Sequence, residues 1–402
     1  MPSSVTTGKF ICIVAAFFLS AACKKKQDTQ PPAVVPVITV SDASVTRTTT
    51  QVVMQFTFAL NKTTTVPVSV DYTLADSTAM APKDYVAASG TVTVPAGQAT
   101  QQLTVQVQGD PTNTRQANLV FKVNLDNAKS CTIGTASGRG VIVTEDGLNL
   151  TTDNTGYNTP ISYPGYTLTW SDEFNGNSLD AAAWNQETGN GTGGWGNNEL
   201  EYYTSSTKNT FVSNGNLVIE ARKEPVGGFQ YTSGRMTTQN KKSFQFGRID
   251  IRAKLPVSKG MWPALWMLGS NIGSAGWPAC GEIDIMELIG TYPGRCYGTM
   301  HWKPVSGTNT SKGGQMDLAS GNFSQQFHVF SIIWKQDQIT WLVDDQPYLT
   351  TTKADVGAAN YPFNAPQFLI FNVAVGGNWP GSPDANTQFP QRMFVDYVRV
   401  FQ

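Results

Sequence analysis

Histidine is almost missing from this 402-residue sequence: His301 and His328 are the only two. That excludes a zinc centre built from several imidazoles, and no Cys-x-x-Cys or His-x-x-x-His spacing offers another kind. Charge is sparse as well, with Asp, Glu, Lys and Arg making up 14% of the chain and a formal net charge of −1. So balanced a chain carries no electrostatic footprint for nucleic acid. Global disorder is excluded by the 40% of hydrophobic residues, enough to build a core. At this length two domains are the expectation.

The amino terminus reads as a targeting segment. Lys9 precedes the apolar run Phe10–Ala22, which is too short to span a bilayer as a helix. The run ends at Cys23, followed by Lys24, Lys25 and Lys26. This resembles a bacterial lipoprotein signal, in which residues 1–22 are removed and Cys23 becomes the lipidated first residue. Leu19 lies one residue further from Cys23 than that pattern places it, and an ordinary secretory signal is the alternative. Either way the mature chain is exported; as a lipoprotein it would sit on the outer membrane, facing periplasm or exterior. Residues 23–36 are a polar, Pro-containing tether. Of the remaining cysteines, Cys280 and Cys296 could bridge in an oxidising compartment. A hairpin turning near Thr291–Arg295 would set them out of register, so buried free thiols are expected.

From Ile38 the chain alternates Thr and Val with apolar residues in short runs: Gln51–Leu60, Val66–Leu74, Gly90–Val94, Gln101–Gln108, Asn118–Leu125 and Gly138–Val143. Turns such as Pro95-Ala96-Gly97 separate them, which predicts a β-sandwich over residues 37–146. None of the ten tryptophans and neither histidine lies before residue 147, so this region shows no obvious chemistry. V-S-V-D-Y-T-L-A-D-S-T-A (Val68–Ala79), Lys83–Tyr85 and G-T-V-T-V-P-A-G-Q (Gly90–Gln98) resemble a Calx-beta domain. That family often binds calcium through clustered acids. Here P-T-N-T-R-Q-A-N replaces the acids expected after Gly109-Asp110, so Asp71, Asp76 and Asp84 read as turn or surface residues. The module is expected to be a spacer or weak adhesion domain. Residues 147–164, rich in Asn, Thr, Gly and Pro, read as a linker.

All ten tryptophans fall in residues 165–402, among further short strands and without a convincing helical period. About this many residues of strand make a large sandwich or jelly roll. Within it lies Gly281–Gly290, G-E-I-D-I-M-E-L-I-G. Glu282-Ile283-Asp284-Ile285 alternates with period two and puts both acids on one strand face. Glu287 is an odd step away, and a β-bulge at Ile285–Met286 would return it to that face. Glu282 and Glu287 would then stand roughly 13 Å apart at Cα, at about 3.3 Å per residue. Side chains leaning together could leave about 5–6 Å between carboxyls, near the separation that suits retaining glycoside hydrolysis. Crowded carboxylates also split their pKa values, so that one stays protonated while another ionises. Spacing does not say which glutamate does which.

Several segments then resemble glycoside hydrolase family 16, of the laminarinase (endo-β-1,3-glucanase) type, in order along residues 160–402. They are L-T-W-S-D-E-F-N-G (Leu168–Gly176), W-G-N-N-E-L-E-Y-Y-T (Trp195–Thr204), G-R-I-D-I-R-A-K-L-P (Gly247–Pro256), M-W-P-A-L-W-M-L (Met261–Leu268), W-P-A-C-G-E-I-D-I-M-E (Trp277–Glu287), G-T-M-H-W (Gly298–Trp302) and N-V-A-V-G-G-N-W-P-G (Asn372–Gly381). The resemblance implies an all-β chain: the N-terminal β-sandwich, then a concanavalin-A-like β-jelly roll with its cleft on the concave face. It implies Glu282 as nucleophile, Glu287 as general acid/base, and Asp284 hydrogen-bonded to Glu282 as helper. Trp262, Trp266 and Trp277 match cleft positions, one of the first two being expected as mainly structural. Asn198 and Arg235 match residues that bond glucose units, while His301, Asn378 and Trp379 match the cleft and its border. Trp170, Trp184, Trp334, Trp341 and His328 are expected in structural roles. No cofactor is implied for catalysis. A structural calcium is implied at Glu173, the Gly215 carbonyl and Asp396. The expected partner is a β-glucan, handled by a monomer. Mixed-linkage glucan or a galactan is the alternative substrate, and a non-catalytic glycan-binding protein the alternative class. Mixed-linkage specialists typically lack a residue like Met286.

Overall fold

The computed structural model describes residues 34–356 and 361–402. The targeting segment, Cys23 and most of the tether lie outside the described residues. The first domain is the expected sandwich. A four-stranded sheet (Thr100–Val107, Val52–Leu60, Val37–Val40, Thr132–Ile133) faces a five-stranded one (Ala43–Thr46, Ser137–Val143, Leu119–Lys129, Val68–Ala75, Ser89–Val94). The alternation in the sequence is the alternation of burial: Phe56, Phe58, Val68, Val70, Phe121 and Val123 are all fully buried between the sheets. Asp84 departs from expectation. It is buried rather than on the surface, where it accepts from Arg47 at 3.0 Å and from the Met80 amide at 2.9 Å.

The second domain is two large sheets packed face to face. The front sheet has seven strands, in the order Asn185–Gln186, Arg235–Thr237, Gln367–Val375, Met261–Gly269, Glu282–Glu287, Arg295–Trp302 and Thr310–Asp317. The back sheet has eight and includes Asn216–Ala221, Gln391–Phe401, Gly247–Lys254, His328–Lys335 and Gln338–Val343. Leu265, Met267, Ile283 and Phe371 from the front meet Ile249, Ile332, Trp334, Trp341 and Val398 from the back in one core. Each such side chain contributes about 1.5–3 kcal/mol by leaving water. Trp184, Trp334 and Trp341 are buried as expected, and Trp170 packs against the same core. Cys280 and Cys296 are buried free thiols. Strand Thr310–Asp317 escaped prediction because T-S-K-G-G-Q-M-D is a half-exposed edge with hardly any apolar signal.

Residues 147–164 are not a free linker. The Leu150 amide donates to Ser213 at 2.8 Å, the Tyr157 amide to the Phe327 carbonyl at 2.9 Å, and the Tyr163 hydroxyl to Asp250 at 2.7 Å. The composition that suggests a linker also supplies backbone and hydroxyl groups with partners on the back of the second domain.

The expected bulge is present. Asp284 pairs with Thr299 and Glu287 with Tyr297, while on the other side Trp266 pairs with Asp284 and Leu265 with Met286. Ile285 and Met286 are therefore the extra step, and both turn into the core. Trp341 crosses from the back sheet and donates its indole N–H to the Asp284 carbonyl at 2.8 Å. Gly298, opposite the bulge, leaves room for it. A Cβ there would stand 2.4 Å from Trp341 Cδ1 and 2.4 Å from the Tyr348 hydroxyl. Gly298→Ala is expected to cost about 1–3 kcal/mol through overpacking, read by denaturant unfolding, and to lower turnover in the fraction that stays folded. Unchanged stability would mean that Trp341 is not a fixed strut.

Candidate active site

The bulge returns Glu287 to the face that carries Glu282 and Asp284, and the three carboxyls line the floor of a cleft of about 620 Å³ on the front sheet. Each glutamate is held by its own tryptophan: Trp277 Nε1 donates to Glu282 at 2.7 Å, and Trp262 Nε1 to Glu287 at 2.9 Å. His301 sits across from Glu282 on the next strand, its Nε2 3.9 Å from Glu282 and 3.4 Å from Asp284 Oδ2. Asp284 is buried, and that Oδ2 has no hydrogen-bond partner. The expected hydrogen bond from Asp284 to Glu282 is not formed; the aspartate faces the histidine instead.

Burial pushes all three carboxyls above their usual range, and repulsion adds to it at the two glutamates. Glu282 is raised by desolvation and by Asp284, to about 8, while His301, the Trp277 hydrogen bond and Arg235 pull the other way. Asp284 is raised to about 8 by desolvation. Glu287 is raised well above its usual range by desolvation and then by repulsion from Asp284 and Glu282, while the Trp262 hydrogen bond and His301 pull the other way. Two glutamates on one face, each on its own indole donor, can supply a proton donor and, once one ionises, the carboxylate that acid–nucleophile chemistry needs.

Trp262 and Trp266 lie four positions apart on strand Met261–Gly269, so both face the cleft; neither is mainly structural. Arg235 is no surface residue. Its guanidinium is buried, 4.3 Å from the Trp195 ring and 5.0 Å from the Trp266 ring, with Nε on Glu187 at 2.5 Å. Trp277, His301 and Trp379 also line the cleft. Asn198 and Asn378 do not; they bond each other at 2.9 Å, and Asn197 takes the lining position. His328 is structural, bonded to Asp344 at 2.7 Å.

Sequence reasoning missed Trp195, Glu199 and Asn372 as lining residues. The signal was the segment W-G-N-N-E-L-E, but its backbone is left-handed at Gly194, Trp195, Gly196 and Asn198, so no period of two or 3.6 tells which side chains turn inward. Asn372 accepts from Trp266 Nε1 at 2.8 Å and donates to the Tyr203 hydroxyl at 3.1 Å, which donates to Glu199 at 3.1 Å. This chain fixes the Trp266 indole from behind.

Glu282, Asp284 and His301 bring ligand atoms within 4.8 Å of one another, near enough for one divalent cation. The expected calcium residues are at the back sheet, where Asp172, just before Glu173, pairs with Val398 and Leu217 pairs with Val395. Their charge is already spent on arginines: Glu173 accepts from Arg399 at 2.8 and 2.7 Å, and Asp396 from Arg252 at 2.8 Å. Calcium takes six to eight oxygens, and as placed this set does not fit it.

With the geometry in view, relatives decide the lineage. The model for glycosyl hydrolases family 16 matches residues 197–399, and that for the Calx-beta domain matches residues 33–146. A beta-glucanase of Rhodothermus marinus is 43% identical over 252 residues, which are 60% of this chain and 86% of the relative. The chain belongs to glycosyl hydrolase family 16. This glycosyl hydrolase is also 42% identical over 259 residues to glucan endo-1,3-beta-glucosidase A1 of Niallia circulans, spanning 59% of itself but 38% of that longer protein. The laminarinase catalytic domain of Thermotoga maritima superposes with a TM-score of 0.56 at 50% identity, covering 59% of this chain and 98% of that one.

Because the three carboxyls bind protons more tightly folded than unfolded, the stability they contribute is fully present below about pH 4.5. It is lost as pH rises through the folded values, about 8 for Glu282. The melting temperature is therefore expected to fall between about pH 5 and 8, and Glu282→Gln to melt higher than wild type at the upper end. A variant that melts lower across the range would show that the carboxyl is not strained.

Proposed function

We propose that this chain is an endo-acting, retaining hydrolase of β-1,3-glucan. The observation that carries the reading is the pair Glu282 and Glu287, each fixed by an indole N–H on the floor of an open cleft. Glu282 attacks the anomeric carbon as its carboxylate while Glu287 gives its proton to the departing glycosidic oxygen. Water then replaces the leaving sugar, Glu287 takes a proton from it, and the water oxygen displaces Glu282 from the glycosyl ester. Asp284 positions rather than reacts, its Oδ2 set 3.4 Å from His301 Nε2 between the two glutamates. Trp262, Trp266, Trp277 and Trp379 offer flat apolar platforms to the C–H faces of glucose rings. The relatives' names, laminarinase and glucan endo-1,3-beta-glucosidase, support β-1,3 linkages over others.

The purified chain should release short β-1,3 oligosaccharides from laminarin and little from agarose or mixed-linkage glucan. Glu282→Gln and Glu287→Gln should each lower turnover by several orders of magnitude while binding of laminarin survives. Cleavage of agarose alone would keep the chemistry and overturn the substrate. Retention of glucan without cleavage by the unaltered chain would move it to the binding-protein class. The rate should fall on the acid side as Glu282 protonates and on the alkaline side as Glu287 loses its proton.

We propose further that the protein is an exported lipoprotein of the bacterial outer membrane, tethered through Cys23, a reading supported by the apolar run Phe10–Ala22 that ends at this cysteine. Incorporation of a labelled palmitate analogue, abolished by Cys23→Ala, is the expected result; labelling that persists would sink the anchor.

A further inference from the structure

Strand Asn216–Ala221 of the back sheet sends Leu217, Ile219 and Ala221 into the core. Alternation therefore points Glu220 outward, where a carboxylate on a sheet face ordinarily meets water. Its side chain has no exposed surface at all. What covers it comes partly from the other domain. Arg115, on the loop between strands Thr100–Val107 and Leu119–Lys129 of the first domain, donates to Glu220 at 2.9 Å, and its own side chain is equally buried. The same guanidinium donates to the Lys208 carbonyl at 2.7 Å and the Gly147 carbonyl at 2.9 Å, and lies 4.3 Å from the Phe211 ring. Arg222 and Arg392 complete the shell of Glu220 at 2.8 and 2.6 Å.

Around this pin the charges are complementary. The first domain contributes one cation, Arg115, and two anions, Glu145 and Asp146, which reach Arg222 at 3.4 and 3.2 Å; Asp146 also reaches Lys208 at 3.3 Å. The second domain contributes Lys208, Arg222 and Arg392 against Glu220 and Glu224. The two sets thus meet with formal charges of −1 and +1 and sum to zero. A flexible spacer would leave such groups solvated. Here a guanidinium is desolvated, a cost that paired and hydrogen-bonded charge offsets: three hydrogen bonds and the Phe211 ring surround it, with only the Nε–H left without a partner.

We infer that the first domain is a docked brace rather than a spacer: Arg115 plugs a socket centred on Glu220 behind the catalytic sheet and makes the two domains unfold as one. Its place also follows. The socket is on the back sheet and the cleft on the front, so the brace leaves the glucan path open. The jelly roll has the fold of a stand-alone unit, since the Thermotoga domain is matched by 59% of this chain. What the brace adds is therefore coupling, not the fold.

The test uses the mature chain with Arg115→Gln and, separately, Asp146→Asn, followed by calorimetry and by protease nicking within residues 147–160. Wild type is expected to melt in one transition and to resist nicking. Each variant should resolve into two transitions and be nicked about tenfold faster, the loss of about 1.4 kcal/mol of docking free energy, with laminarin hydrolysis below the first transition unchanged. Two well-separated transitions in wild type, or wild-type melting and nicking in both variants, would overturn the inference. Should Arg115→Gln not fold, Asp146→Asn on the rim still reads the coupling.

Discussion

The bulge at Ile285–Met286 is the constraint on which the active face rests. Without the extra step, Glu287 would point into a core of Met, Ile and Phe side chains. With it, three carboxyls share one face, at the cost of a carbonyl at Asp284 whose surroundings are apolar. Trp341 answers that carbonyl from the opposite sheet, and Gly298 supplies the space to do so. One hydrogen bond through the core therefore ties the aim of the catalytic strand to the packing of the two sheets. The bulge is not a local ornament of the strand; it exists because both sheets hold it.

Crowding the carboxyls has an energetic consequence that runs against stability. Each is raised because its charged form is desolvated, and the two glutamates are repelled as well. The indole donors and His301 pull the two glutamates back only in part. The strain is tolerated because the rest of the jelly roll is densely apolar, and active sites commonly sit at such a trade-off.

The back of the molecule shows the opposite use of charge. There Glu220 is buried but fully compensated by three guanidinium groups, one of them from the first domain. The loop that carries Arg115 is the one in which P-T-N-T-R-Q-A-N stands where acids were expected. A cation in place of acids turns that loop from a candidate metal site into a contact with the neighbouring domain. The Asn- and Thr-rich stretch after it is bonded along the back of the second domain in the same way.

Much of this was legible in one dimension. Period-two alternation located most strands because each has one wet and one dry face, and the odd step from Asp284 to Glu287 announced the bulge. The acids and indoles of the cleft stood in dense motifs. What the chain order could not express were relations between segments far apart in sequence. Asn197 rather than Asn198 lines the cleft because several left-handed residues in a row abolish any period. Strand Thr310–Asp317 is stable through pairing with its neighbour, not through apolar residues of its own. Which glutamate keeps its proton depends on whether His301, Arg235 and two indoles, from four other segments, lie nearer one carboxyl than the other. Local pattern thus determined which residues form strands and which carry chemistry. Only tertiary structure decided their aim, their protonation and the docking of the first domain, because those depend on distances through space that short-range alternation does not encode.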